Sequence, residues 1–147
     1  DAFVPACSPA LAKAIRSLSD IGETTLVHSM MRPDAWSLWL KSAGFSASEA
    51  VRNIALANTA LCLQAAADGV GIAMVQQAYV VDDLASGRVV IPIPHVLRTG
   101  LGYFLACDAR RANDYPLAQF REWAQQTSVE QRARAELTLR SWLPAPH

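Results

Sequence analysis

Residues 58–92 read NTALCLQAAADGVGIAMVQQAYVVDDLASGRVVIP, and this stretch decides the fold class. Asn58 or Thr59 is suited to cap a helix of strong helix formers. Gly69 is suited to end that helix, because glycine adopts the left-handed conformation at little cost. The stretch predicts alternating helices and strands at residues 60–67, 70–75, 76–84 and 89–94. Such alternation with short connections is typical of an α/β layer around a mostly parallel sheet.

The flanking sequence predicts further elements that pack around this layer. Strands are expected at residues 3–7, 25–30, 51–57 and 101–107, and helices at 10–18, 33–43 and from 116 onward. Pro5 indicates an edge position or a strand end. Trp36, Trp39 and Leu40 share one helical face, which favours a helix packed on a sheet over a platform that stacks a ligand. The apolar period weakens over residues 126–147, which are expected to form a C-terminal helix and a loosely held tail.

The composition describes a folded domain and excludes several partner classes. The chain has 147 residues, of which 52% are hydrophobic and 18% charged, so a packed core is expected. The 13 basic and 13 acidic residues give no net charge, which argues against nucleic acid as a direct partner. No apolar run approaches the ~20 residues of a membrane span, and no signal peptide is visible. A cytoplasmic protein without a membrane partner is therefore expected.

The sequence offers no pattern for a metal, a cofactor or catalysis. Cys7, Cys62 and Cys107 are odd in number and far apart, which indicates reduced thiols in or near the core. The histidines are equally scattered, and no paired metal-ligand spacing occurs. Nucleophiles exist by residue type only, at Ser8, Ser29, Cys7 and Cys62, and no GxSxG elbow is present. The chain is not expected to be an enzyme.

Five segments together resemble the effector-binding domain of the LysR-type transcriptional regulators. They are FVPACSPAL, TLVHSMMRPDAWSLWLKSAG, the central stretch quoted above, GLGYFLACDARR and YPLAQFREW. They cover most of residues 1 to about 125. The W-x-x-W-L helix followed by Gly44 is similar to the branch that includes glycine-cleavage and β-lactamase regulators.

This resemblance implies an α/β regulatory domain with a fold like that of periplasmic binding proteins. Two subdomains would be joined by crossing segments at Ser8 and Pro9 and between residues 92 and 100. The chain would hold one complete subdomain and part of the second. The implied division is 10–94 for the complete subdomain, 1–9 and 95–125 for the partial one, and 126–147 for the C-terminal helix and tail.

The resemblance also implies that the chain is a fragment of a longer regulator. Family members begin with a winged helix-turn-helix, so DNA would be bound only through an N-terminal domain that is absent here. The fragment is then expected not to shift operator DNA in a mobility assay. Exposed sheet edges at residues 3–7 and 101–107 would favour self-pairing or a swapped dimer, and hence a homo-oligomer. A clean monomer in light scattering would contradict that expectation.

A cleft between two subdomains is a common ligand site, and helix N-termini within it favour carboxylates. The expected partner is therefore a small-molecule effector, with carboxylates as a candidate class. By position, the residues expected to face the cleft are Ser8 at the first crossing, Ser29 and Met30 at a strand end, Asn58, Thr59 and Ala60 at the start of the central helix, and Tyr103 on the return strand. In the family, the first crossing and the loop before the central helix commonly contact ligand.

Each of these residues has a structural alternative. Asn58 and Thr59 can cap a helix, Ser8 can bond a hinge carbonyl, and Tyr103 can lie in the core with its hydroxyl at the rim. Ser29 and Met30 can form a strand end that faces solvent. An alternative function for the whole chain is a periplasmic-type binding protein or an enzyme on that fold, because fold alone does not separate these classes.

Overall fold

A mixed β-sheet organises the computed structural model, which describes residues 2–45 and 52–142. The strands are β1 (Ala2–Ala6), β2 (Leu26–Ser29), β3 (Asn53–Leu56), β4 (Ile72–Gln76) and β5 (Leu97–Arg98), in the order β3-β2-β4-β1-β5. β2 runs parallel to both β3 and β4, whereas β1 runs antiparallel to β4 and β5. The predicted α/β class is confirmed.

Six α-helices surround this sheet within the described residues. They are α1 (Pro9–Ala12), α2 (Leu18–Ile21), α3 (Ala35–Ser42), α4 (Thr59–Ala67), α5 (Gln77–Ala85) and α6 (Tyr115–Trp142), with a short 3₁₀ helix at Ala109–Arg111. The central stretch forms α4, β4 and α5 close to the predicted bounds. Gly69 ends α4 with a φ of +79°, as predicted for a glycine after a helix.

Gly71 allows β4 to approach the loop before β2. A Cβ atom at this position would lie 2.3 Å from the backbone oxygen of Thr25, which is too close for any side chain. The N–H of Ile72 donates a 2.9 Å hydrogen bond to the same oxygen. The second glycine of the GVG sequence is therefore required by strand pairing.

Alternate residues of the strands supply two separate cores, one on each face of the sheet. On one face, Val4, Val27 and Val75 pack under α4 and α5. On the other face, Phe3 and Met74 pack under α3 together with the indole rings of that helix. Because both faces are covered, β1 and β4 are buried along their whole length, with no polar side to alternate with the apolar one.

The helical face of Trp36 and Trp39 packs against the sheet, as predicted. Both side chains are buried, and their rings meet edge to face with centroids 5.8 Å apart. The indole N–H of Trp36 donates to the carbonyl of Val27 at 3.0 Å, and that of Trp39 donates to the carbonyl of His95 at 2.9 Å. Each ring thus buries its apolar surface and satisfies its one polar group.

The prediction that residues 3–7 form an exposed sheet edge is wrong, because β1 lies between β4 and β5. Cys7 exchanges two backbone hydrogen bonds with Val90, so its polar groups point away from β4. Backbone direction alternates along a strand, so the nitrogen of Pro5 points to the same side. That side is interrupted between the pairing of Phe3 with Leu97 and the bridge at Cys7. Pro5, which carries no N–H, therefore fits an interior strand.

Two of the predicted strands do not form. Residues 89–94 contribute only the bridge of Val90 to Cys7, because Pro92 and Pro94 have no N–H for a ladder. Residues 101–107 are exposed, and no strand of the described chain runs beside them. An apolar segment becomes a strand only where a neighbouring strand supplies hydrogen-bond partners.

The C-terminal tail is also corrected in part, since α6 continues to Trp142. Ala135 and Leu139 are buried on this helix, and Leu139 belongs to the core under α5. Arg134 forms a 2.6 Å ion pair with Asp82 of α5. The predicted tail beyond residue 142 lies outside the described residues.

The structure bears on the implied subdomains in one respect. β1 pairs with β4, so residues 2–6 lie in the sheet of the unit expected at 10–94. The division into 10–94, 1–9 with 95–125, and 126–147 otherwise stays a prediction.

Candidate functional site

The carboxyl ends of β2, β3 and β4 meet at one edge of the sheet, which we call the carboxyl edge. These strands are parallel neighbours and end at Ser29, Leu56 and Gln76. α4 and α5 both begin at this edge, since α4 follows β3 and α5 follows β4 directly. Such an edge collects helix N-termini and strand-end side chains, which is where ligands bind in open α/β sheets.

Asn58 and Thr59 hold different positions at the start of α4. The side chain of Asn58 caps the helix, because its Oδ1 accepts a 3.0 Å hydrogen bond from the N–H of Leu61. Thr59 is half-buried, and its hydroxyl points toward β4, as its bond to Gln76 shows. Ala60 is exposed on the first turn. Capping and proximity to the carboxyl edge therefore coexist here.

A chain of hydrogen bonds joins Thr59 to Tyr103 through Gln76. The Thr59 hydroxyl donates to Oε1 of Gln76 at 3.2 Å, and Nε2 of Gln76 donates to the Tyr103 hydroxyl at 2.9 Å. Gln76 is buried, whereas Tyr103 is 75% exposed. Three segments that are distant in sequence are thus connected at the carboxyl edge.

Sequence reasoning did not identify Gln76 as a site residue. It stands at the boundary between an apolar strand and a helix, where a polar residue is expected to face solvent. One weak sequence signal pointed to it. Gln76 is the polar residue that ends the buried strand β4, and ligands of open α/β sheets bind at the carboxyl ends of the strands.

Ser29 and Met30 also lie at the carboxyl edge. Oγ of the buried Ser29 accepts a 3.2 Å hydrogen bond from the N–H of Met31. The N–H of Met30 donates to the carbonyl of Leu56 at 2.8 Å, while its side chain is 66% exposed. Met30 therefore offers an accessible apolar group at the carboxyl edge.

Ser8 is separated from the other predicted residues. β1 runs antiparallel to β4, so Phe3 pairs with Gln76 at the carboxyl edge while Ala6 pairs with Ala73 toward the opposite edge. Ser8 follows β1 at that opposite edge and caps α1, accepting a 3.3 Å hydrogen bond from the N–H of Leu11. The structure does not bring Ser8 together with the carboxyl-edge residues.

An open apolar groove of about 570 Å³ begins at Tyr103. Its walls are residues 103–107 and the first turns of α6, including Leu117 and Phe120. It is continuous with the carboxyl edge through Tyr103, which belongs to both.

The described residues show little chemistry beyond hydrogen bonding at this edge. Burial raises the pKa of Cys7 to about 12 and also raises the pKa of Cys62, so neither thiol is an activated nucleophile. Cys107 is exposed, which corrects the prediction of a core or near-core thiol there. Within residues 2–45 and 52–142, no group of three or more His, Cys, Asp and Glu side chains is placed to hold a metal ion. Over the same residues, no helix is both long and apolar enough to cross a membrane.

Known proteins resemble this chain in sequence. The family model of the LysR substrate binding domain matches residues 1–128. The glycine cleavage system transcriptional activator of Escherichia coli is 28% identical over 124 residues, covering 82% of this chain and 40% of the relative. The HTH-type transcriptional activator AmpR of Pseudomonas aeruginosa is 32% identical over 130 residues, covering 87% of this chain and 43% of the relative. The chain thus spans less than half the length of these relatives.

Solved structures agree with the sequence comparison. The effector domain of AmpR from Pseudomonas aeruginosa superposes with a TM-score of 0.77 at 32% identity, covering 92% of this chain and 65% of that one. The AmpR effector binding domain from Citrobacter freundii gives a TM-score of 0.64 at 25% identity, with 84% of this chain and 64% of that one covered. The predicted regulatory-domain fold is confirmed, and the chain belongs to the LysR substrate binding domain family.

Proposed function

We propose that this chain senses a small-molecule effector for a LysR-type transcriptional regulator. The observation that carries the proposal is the convergence of Thr59, Gln76 and Tyr103 at the carboxyl edge of the sheet. Ser29, Met30, Asn58 and Ala60 complete the proposed site around it. Ser8 is left out because it follows β1 at the opposite edge.

Support for regulation comes from the relatives, which are named as transcriptional activators. The proposal includes that the chain has no catalytic activity of its own. A periplasmic-type binding protein or an enzyme is the less favoured alternative, since the relatives reported above are regulators. A cytoplasmic location belongs to the same proposal, because a transcription regulator acts where DNA is.

The expected effector class is a small molecule with a carboxylate. The N-terminus of α4 carries N–H groups without intrahelical acceptors and the positive end of the helix dipole. The adjacent Tyr103 hydroxyl is accessible, and the exposed side chain of Met30 can contact an apolar part of the ligand. A carboxylate at this place would accept hydrogen bonds from groups that already point to the edge.

Effector binding would act on transcription by shifting an equilibrium between two arrangements of the longer protein. Segment 101–107 and the sheet meet at Tyr103, so a ligand that contacts both favours the arrangement in which they are close. We propose that a separate N-terminal domain of the longer regulator binds DNA and that the regulator forms a homo-oligomer.

The proposal is tested by thermal shift and titration with small carboxylates, beginning with acetate, glycine and diglycine. We expect at least one carboxylate to raise the melting temperature in a saturable way, because a ligand that binds only the native state stabilises it. Tyr103→Phe should weaken that effect. Tyr115→Phe is the matched control, because Tyr115 is equally exposed at 74% but bonds to Gln119 of its own helix. Equal responses of both variants would reject the site.

A further inference from the structure

Gln76 has an unusual position for an amide side chain. It is 5% exposed and ends a strand whose other four residues are all apolar. Burial of an amide costs free energy unless its donor and acceptor are hydrogen-bonded, whereas an apolar residue of similar size would fill the space without that cost. Packing alone therefore does not account for an amide at this position, whereas its hydrogen bonds to Thr59 and Tyr103 do.

The amide group is directional, and this direction fixes the roles of its two neighbours. Oε1 can only accept, so the hydroxyl proton of Thr59 is directed into Gln76. Nε2 can only donate, so the oxygen of Tyr103 is the acceptor in the second bond. The hydroxyl proton of Tyr103 is consequently directed elsewhere, and the side chain lies at the accessible carboxyl edge.

We propose that Gln76 is a positioning and specificity-determining residue that sets the hydrogen-bond polarity of the site. Thr59 presents its oxygen as an acceptor, and Tyr103 presents its proton as a donor. The site then selects a molecule that offers an N–H or O–H group to Thr59 and an oxygen acceptor, such as a carboxylate, to Tyr103. The selection of an effector rests on the proposed function, whereas the hydrogen-bond relay does not.

Gln76 acts through its neighbours, so its role is distinct from that of a ligand-contacting group. The relay spans the strand end, the start of α4 and segment 101–107. Because hydrogen bonds in such a chain polarise one another, the orientation of the Gln76 amide affects the hydrogen bonds of both hydroxyls. While the Gln76 amide keeps this orientation, an effector with the opposite polarity would bring a donor to the donor of Tyr103 and an acceptor to the acceptor of Thr59.

The relay is tested on the chain itself by NMR of glutamine side-chain amides, without any effector. Tyr103→Phe removes an acceptor of the Nε2 donor, so the resonance of the Gln76 amide proton that is bonded to it should move upfield. Thr59→Val removes a donor to Oε1, so those amide protons should move much less, and Thr59→Ser should leave them near their original position. Gln64, whose amide donates to Asp68, serves as an internal control in the same spectra.

Two results would overturn the relay. The first is a larger amide shift in Thr59→Val than in Tyr103→Phe, which would show the opposite amide orientation. The second is an unchanged Gln76 signal in both variants, which would show that neither bond is present in solution.

The link to specificity is tested with acetate as the probe and a matched pair of substitutions. Gln76→Glu keeps an acceptor for Thr59, but its second carboxylate oxygen would accept a hydrogen bond from the Tyr103 hydroxyl, which then no longer donates to a ligand. The substitution also adds negative charge, so acetate affinity should fall by about tenfold or more. Gln76→Met keeps the volume without either bond and should cause a smaller loss. Unchanged acetate affinity in Gln76→Glu would reject the specificity role. If acetate does not bind the unmodified chain, the carboxylate assignment fails while the NMR result still decides the relay.

Discussion

The sheet with its two covering layers and the segment that follows it are both apolar, yet only the first is buried. β1, with the sequence AFVPA, is buried at every residue and lies between two strands. Residues 102–106, GYFLA, have a similar apolar content and are exposed throughout. The difference teaches that apolar composition permits a strand, while hydrogen-bonding neighbours and a covering layer produce it.

The two halves of α6 repeat this contrast within a single helix. The first half carries Phe120 and Trp123, which contact each other but remain about half exposed. The second half buries Leu139 against α5 although its sequence is more polar. Burial follows from the presence of α5 beside the helix, so a helical face cannot be assigned from hydrophobic residues alone.

Thiol reactivity should separate the two regions by the widest margin. With its pKa raised to about 12, Cys7 is ionised at pH 8 only on the order of one part in ten thousand, and it is also buried. Cys107 in the exposed segment should react with Ellman's reagent at once, while Cys7 and Cys62 should react only on unfolding. Because Cys7 is inaccessible in the folded chain, raising the pH should speed its reaction only where the higher pH promotes unfolding.

Cys107→Ser provides the control, since it should abolish the fast phase and leave the slow phase unchanged. A fast phase of more than one thiol per chain would contradict the contrast between sheet and segment.

Replacing one tryptophan that packs on the sheet and one in the exposed half of α6 should give the next largest difference, measured in the free energy of unfolding. Trp39→Ala removes a fully buried ring and its hydrogen bond to His95, so the free energy of unfolding should fall by about 3–5 kcal/mol. Trp123→Ala in the exposed half of α6 should cost at most about 1 kcal/mol, the loss of an aromatic pair. Urea unfolding followed by circular dichroism measures both, and equal losses would refute the assignment.

A leucine pair within α6 should give the smallest difference of the three. Leu139→Ala opens a cavity under α5 and should cost about 2–3 kcal/mol, the lower part of the usual range because the site is near a helix end. Leu137→Ala changes a side chain that is 67% exposed and should stay within about 0.5 kcal/mol. If Leu139→Ala is as mild as Leu137→Ala in urea unfolding, the end of α6 is not packed on α5.

Part of the candidate site was predictable because it depends on local chemistry. Asn58 caps α4 as expected for an asparagine before a run of helix formers, and strand ends such as Ser29 follow from the apolar pattern. Gln76 was not predictable, because its role arises from Thr59 and Tyr103, which lie 17 and 27 residues away. Ser8 was placed by the resemblance near a cleft, but the antiparallel direction of β1 carries it to the other edge.

The sequence by itself determined the α/β class, the helices and strands of residues 58–85, and the family, because these rest on capping, glycine placement and apolar period over short distances. Tertiary structure decided that β1 is an interior strand, that residues 101–107 form no strand, and that Gln76 connects Thr59 to Tyr103. The reason is physical: strand pairing and buried hydrogen bonds require partners from distant parts of the chain, and local preferences carry no record of which partner is near.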